Sequence, residues 1–380
     1  MVVQIDSNAR VLIVGTGDLS FKVMCQLVQK HPNVRLVLAG RDEDRTVRLA
    51  NLVRFTADNL GLATDIATRT FDLRDIDQTA EAIAAVRPDI VFMGASLQSW
   101  RRITELPPKI FAELDTAQYG PWLPMHLSLN YLLMQAIHIA GWPTVTVNAA
   151  YPDAVGPVLK TQDLAPSIGI GNVANIIPAL TRSVAEELRE PPEKIAVRLV
   201  AQHYFSHYVP RFGSAGDSTY VLSAEYSDGR PAPKFDDERV FARLTDEFRR
   251  KGGLDGQMLT ASSAVRVLSE LVERTGRLVH APAPDGLPGG YPVRITDAGI
   301  AVDLPDATTR DEAVAINEKC QQADGIESIG ADGTVTFAPH TMAIMRSMLG
   351  YDCQTMALAD VHDTAAELGR CYQAFAERHR

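Results

Sequence analysis

One stretch, RVLIVGTGDLSFKVMCQLVQK from Arg10 to Lys30, constrains the fold more than any other. Val11 to Val14 form an apolar run that ends at Gly15, Thr16 and Gly17. Beyond them Phe21, Met24, Leu27 and Val28 recur near one face of a helix. A buried strand, a tight glycine turn and a helix N-terminus in that order make an anion-binding device. Gly15 permits the turn, and Gly17 keeps a Cβ out of the path of a pyrophosphate. The first helical N–H groups, around Asp18 and Leu19, then point at the phosphate. Ser20 is the third small residue, giving G-x-G-x-x-S. In this context dinucleotide binding is favoured over an empty glycine turn.

The segments that follow alternate. Val34–Ala39, Asp65–Asp72, Asp89–Met93 and Thr144–Asn148 read as strands, with Asp44–Leu60, Ile76–Val86 and Met125–Ala140 as the helices between them. Such alternation specifies a parallel sheet with right-handed crossovers. The chain has 380 residues, room for two domains. The expected class is α/β, with a doubly wound Rossmann sheet over residues 1–150 and a mixed α+β substrate domain over residues 151–380. Pro152, Pro157 and Pro166 mark the passage between them. Further on, Ile195–Val209 has strand composition, Glu238–Arg250 and Thr260–Thr275 read as helices, and Leu278–Gly290 reads as a loop.

In a sheet of this kind a carboxylate usually ends the second strand and holds the ribose 2′-hydroxyl of NAD. Gly40 and Arg41 stand there instead and would accommodate a 2′-phosphate, so NADP is favoured over NAD. In the alternative, Arg41 stacks on adenine and Asp42 or Asp44 serves the ribose. Asp72 either reaches the adenine or caps a helix. Gly94, Ala95 and Ser96 end the fourth strand and complete the cofactor contacts. Asn148 ends the fifth, where its amide faces the ligand crevice. Arg101 and Arg102 lie on a Trp- and Pro-rich segment that could close over a nicotinamide; they either meet an anionic substrate or are solvated.

The net charge of −10, with basic residues dispersed, argues against a nucleic-acid partner. Cys25, Cys320, Cys353 and Cys371 form no C-x-x-C and read as reduced thiols of a cytoplasmic protein. MVVQIDSNAR lacks the pattern of a signal peptide, and no apolar segment is long enough to span a membrane.

His203 and His207 are four apart, which would put both on one side of a helix, as metal ligands often are. On a strand they would share a face at a separation too long for one metal. The composition favours a strand for at least the first part. A histidine beside the cofactor crevice suits proton transfer near neutral pH. The turn from Ser167 to Asn172 is either a second anion site or backbone packing.

The glycine turn, the GAS at the fourth strand end, the arginine-bearing loop and Asn148 together resemble the lactate/malate dehydrogenase superfamily. That superfamily includes the family 4 glycoside hydrolases, which use a nicotinamide cofactor and usually a divalent metal. The second half is more similar to these glycosidases. SIGIGNVANIIPAL resembles their G-I-C-[DHN] turn, VAQHYF their strand with a metal-ligating histidine, and PVRITDAGIAVDLPD their N-x-G-x-x-x-N-L-P segment. The resemblance implies that Asn148 is the substrate-side asparagine, that His203 is the metal or acid–base histidine, and that the protein is a homo-oligomer. Gly171 stands where the glycosidases place a metal-ligating cysteine and Asn172 where many place an acidic group, so no metal site is expected. The Asp and substrate Arg that hydroxy-acid dehydrogenases carry around this turn are missing from GIGNVANII. The expected activity is hydride transfer between NAD(P) and an alcohol or carbonyl carbon of a small polar, anionic substrate. His203 would move the hydroxyl proton and Asn148 would orient the substrate. Asn172 would lie beside it, and Arg101 or Arg102 would hold its anionic end. A glycosidase-like enzyme with a recycling cofactor and a non-catalytic cofactor-binding protein are the alternatives.

Overall fold

The computed structural model describes residues 8–306 and 308–379, with Arg101 described in its backbone only. Met1–Ser7, part of the segment examined for a signal pattern, lie outside the described residues. The first half alternates as its sequence predicts. Strands β1 (Arg10–Val14), β2 (Arg35–Gly40), β3 (Asp65–Thr70), β4 (Ile90–Met93) and β5 (Val145–Asn148) are joined through helices α1 (Asp18–Lys30), α2 (Glu43–Asn59) and α3 (Ile76–Val86). Between β4 and β5 the chain adds α4 (Arg101–Thr104), α5 (Pro108–Asp115) and α6 (Leu123–Ala140). The sheet is parallel in the order β3-β2-β1-β4-β5 and takes a sixth strand, β6 (Ile168–Gly169), from beyond residue 150. The reversal of order between β1 and β4 opens a crevice at the carboxyl ends of the strands. Both faces of β1 are covered, so Val11, Leu12, Ile13 and Val14 are all buried.

The passage expected at Pro152–Pro166 contains a helix, α7 (Pro152–Lys160). Pro152 sits at its first turn, where a missing N–H costs nothing. Helix α8 (Val173–Leu188) follows, then β7 (Ile195–Val200). Here the expected strand Ile195–Val209 needs correction. It stops at Val200, and α9 (His203–Phe212) begins at His203. The Gln202 side chain accepts from the Tyr204 N–H at 2.7 Å and starts the helix, with Tyr204, Phe205 and Val209 on its buried face. Strand β8 (Val221–Tyr226) pairs antiparallel with β7, and α10 (Asp237–Ala242) and α11 (Gly253–Glu273) follow. The loop expected at Leu278–Gly290 contains β9 (Val279–Pro282), which joins β10 (Gly290–Thr296) and β11 (Gly299–Val302) in an antiparallel sheet. Helix α12 (Arg310–Ala323) leads to a second small sheet of β12 (Ile326–Ile329), β13 (Val335–Phe337) and β14 (Thr355–Met356). Helix α13 (Pro339–Leu349) lies within that region, and α14 (Val361–Arg378) packs back on α6. Among the described residues no helix is long and apolar enough to cross a membrane.

Candidate functional site

The glycine turn is built for close approach. Gly15 has φ +112°, and a Cβ there would lie 2.8 Å from the Ala95 nitrogen. Gly17 is the reverse case: its Cβ would meet nothing within 4 Å. No side chain caps α1, so its first N–H groups are open to an anion. The Asp18 carboxylate is drawn aside to Lys22. Ser20 is buried beneath Gly94, where a Cβ would come 2.5 Å from the Ser20 hydroxyl. These small residues let α1 sit against β4 and leave phosphate-sized space in front of the helix. The residues present therefore fit a dinucleotide.

The crevice is about 880 Å³ and runs from Gly40, Arg41 and Asp72 past Gly94, Ala95 and Ser96 to Tyr119 and Ala149. At its β2–β3 end Arg41, Arg45 and Arg74 converge. The nearby carboxylates are engaged. Asp42 caps α2 by accepting from the Arg45 N–H at 3.0 Å. Asp72 accepts from Arg74 Nε at 3.0 Å, and those bonds, against the opposing effect of burial, hold its carboxyl below the usual range. At the other end Asn148, expected to face the crevice, is buried and does not line it, because both ends of its amide are taken by the Ala150 backbone. Its side-chain oxygen accepts from the Ala150 N–H at 2.7 Å, and its amide donates to the Ala150 carbonyl at 3.1 Å.

His203 lies in the first turn of α9, and its Nδ1 is 3.0 Å from Asp324 Oδ2. Asp324 follows α12 and is buried. It also accepts from the Tyr151 hydroxyl at 2.7 Å and from Gln202 Nε2 at 3.1 Å. With Nδ1 directed at a carboxylate, Nε2 is the ring nitrogen left for chemistry. Burial alone would push the His203 pKa down. The charge and hydrogen bond of Asp324, helped by Asp153, outweigh it and raise the value above 6.5. Asp153 is fully buried, and desolvation raises its carboxyl to about 6 despite His203 and the hydrogen bond from Asn172.

A recess of about 160 Å³ opens at His203, lined by Trp100, Asp115, Gln118, Tyr119, His207 and Asp324. Trp100 and Tyr119 line the larger crevice as well, so the two spaces meet there. The Tyr119 and His203 rings lie 4.8 Å apart. His207 stacks on His203 at 5.7 Å, one helical turn on. Arg211 donates to His207 at 2.8 Å and to Asp115 at 2.7 Å. Burial, with His203 and Arg211 adding to it, lowers the His207 pKa to about 4. His126 Nε2 meets the Tyr119 hydroxyl at 2.8 Å, and burial and His203 keep that imidazole neutral.

The sequence-predicted residues therefore divide. The glycine turn, Gly40, Arg41, Asp72 and the 94–96 segment line one crevice. His203 meets it through Tyr119. Asn172, with φ +47°, donates to Asp153. Arg102 borders the crevice but not the recess at His203, and the Arg101 side chain is outside the description. Asp324 was not anticipated. Its one sequence signal is an Asp-Gly pair ending an amphipathic helix, which reads as a turn. Asn175, in the first turn of α8, bonds to Thr260 and Ser263 of α11. Among the described residues no three His, Cys, Asp or Glu side chains converge as metal ligands.

This arrangement is an α/β fold of the lactate/malate dehydrogenase type. Malate dehydrogenase from Plasmodium falciparum in complex with NADH is similar with a TM-score of 0.51 at 10% identity, over 83% of this chain and 98% of that one. Lactate dehydrogenase from Eimeria maxima with NADH and oxamate reaches 0.54 at 12%, over 83% and 92%. Malate dehydrogenase from Aeropyrum pernix reaches 0.53 at 13%, over 83% and 97%. No family model matches the sequence, and no curated protein matches it.

Proposed function

We propose that this protein is an NAD(P)-dependent oxidoreductase that moves hydride to or from an alcohol or carbonyl carbon of a small polar substrate. The observation that carries the reading is the His203–Asp324 pair in a recess that opens onto the dinucleotide crevice through Trp100 and Tyr119. A bound nicotinamide supplies the hydride acceptor or donor. The protein does the rest. His203 Nε2 takes the hydroxyl proton during oxidation and returns it during reduction, while Asp324 holds the tautomer and stabilises the imidazolium. The β1–α1 turn holds the pyrophosphate, and Asn148 fixes the Ala149–Ala150 backbone at the nicotinamide end. Asn172 and Arg101 are the proposed contacts for the remainder of an anionic substrate, Arg102 lying off the recess at His203. Residues 1–150 form the cofactor side and 151–380 the substrate side of a cytoplasmic homo-oligomer.

The test is absorbance at 340 nm with purified protein, both cofactors and a panel of alcohols, hydroxy acids and their carbonyl partners. Net formation or loss of reduced cofactor is the expected result. Turnover of a glycoside without net reduction, dependent on added metal, would replace this reading with the glycosidase type. Tight cofactor binding with no turnover would make the protein a binding module.

NADP is the proposed preference, because Arg41 lines the β2–β3 end of the crevice while Asp42 caps α2 and Asp72 is paired with Arg74. Arg41→Ala is expected to weaken NADPH by about tenfold and NADH by less than about twofold, measured by fluorescence titration. Equal losses for both would show that Arg41 does not read a 2′-phosphate.

A further inference from the structure

A second cavity, about 1140 Å³, lies between α6 and α14 beside the loop that follows β4. It is larger than the dinucleotide crevice and touches it along Leu97, Gln98, Arg102 and Leu129. Its floor is apolar. Met125, Leu129 and Leu132 come from α6, and Ala365, Ala366 and Gly369 come from α14. Leu97 at the junction is 46% exposed, an uncovered large apolar side chain facing both spaces. Gln98 beside it is buried, and among the described residues its side-chain nitrogen has no hydrogen-bond partner.

The charges at the rim are unequal in their commitments. Glu377 accepts from Gln373 at 3.0 Å, and Glu105 has an interaction of its own. Arg74 is paired with Asp72. Arg102 and Arg370 line the same cavity, and among the described residues neither is in an ion pair. An apolar chamber with two uncommitted guanidinium groups at its edge is complementary to a molecule with an apolar body and one anionic head. This also gives Arg102 a place, since it does not border the recess at His203.

We infer that the α6–α14 cavity is a second binding site, for an amphipathic anion such as a medium-chain or aryl carboxylate, occupied together with the dinucleotide rather than in its place. The inference does not depend on the hydride chemistry. The apolar body lies on Met125, Leu129, Leu132 and Ala366, and the carboxylate meets Arg102 and Arg370.

The experiment is isothermal titration calorimetry of the full chain with decanoate below its micelle concentration, with and without saturating NADPH. Decanol and decyltrimethylammonium are the neutral and cationic controls. Decanoate is expected to bind at one site per chain with and without the dinucleotide, and at least about tenfold more tightly than either control. Arg370→Glu should weaken decanoate by about tenfold or more, and Ala366→Phe should weaken it by about tenfold by narrowing the chamber where the apolar body lies. Both positions are exposed, so the melting temperature and the NADPH affinity should hold in each variant. Three results would overturn the inference. Decanol could bind as well as decanoate, NADPH could displace decanoate, or both variants could bind it like the parent.

Discussion

Asp324→Asn is expected to lower turnover by about 10²-fold or more and to move the pH dependence of what activity remains to lower pH. Both effects follow from one contact. Asp324 accepts from His203 Nδ1, and in the proposed chemistry this leaves Nε2 for the reacting oxygen while the carboxylate charge stabilises the imidazolium formed when that nitrogen takes a proton. An asparagine that turns its NH₂ toward the ring would force the proton onto Nε2 and remove the base. In the oxidation direction the ring must begin neutral, so kcat/KM rises as the pH passes the His203 pKa. In the parent that limb lies above 6.5, because Asp324 and Asp153 outweigh burial. Without the Asp324 charge, burial has less to oppose it and the limb falls. Linkage gives the same sign for stability. The stabilisation that His203 draws from Asp324 is fully present below pH 6.5 and is lost as pH rises through the higher folded value. The measurements are initial rates against pH and the NMR titration of the His203 ring proton, which needs no substrate. His203→Ala should match the loss in rate. Unchanged rates in both variants, with an unmoved titration, would remove the pair from the chemistry.

Gly17→Val is expected to weaken NADPH and NADH by about 100-fold or more while the protein melts within a few degrees of the parent. Among the described residues a Cβ at Gly17 meets nothing within 4 Å beyond its chain neighbours, so the fold has room for it. The same space lies where a pyrophosphate would approach the N-terminus of α1, and a branched side chain would fill it. Gly15→Ala is the contrasting variant. Its φ of +112° and a Cβ 2.8 Å from the Ala95 nitrogen make that change a backbone conflict, costing about 1–3 kcal/mol of stability. Calorimetric melting and cofactor titration separate the two. If Gly17→Val bound cofactor like the parent, the turn would be a packing device and not a phosphate cradle.

The fold was largely legible because its first half depends on local signals. Apolar runs that end in glycine place β1, β2 and β4, and alternating apolar segments bounded by helical periods place β3 and β5, all within a residue or two. The misread segments have composition that serves two conformations. In Ile195–Val209 the branched and aromatic residues suit a strand, yet the same Tyr204, Phe205 and Val209 also form one face of a helix. The Gln202 side-chain cap and the packing of that face chose the helix. This places His203 and His207 one turn apart with stacked rings rather than spread along a sheet.

By itself the sequence determined the parallel sheet, the glycine turn and the crevice, because each is set by residues close together along the chain. Only the tertiary structure decided what surrounds His203. Its partner Asp324 is 121 residues away, Tyr151 reaches that carboxylate across 173, and Tyr119 arrives from the loop before α6. No local periodicity encodes such contacts. They arise when separate elements bury their apolar faces against one another and bring a carboxylate, two phenols and an imidazole into one poorly solvated space.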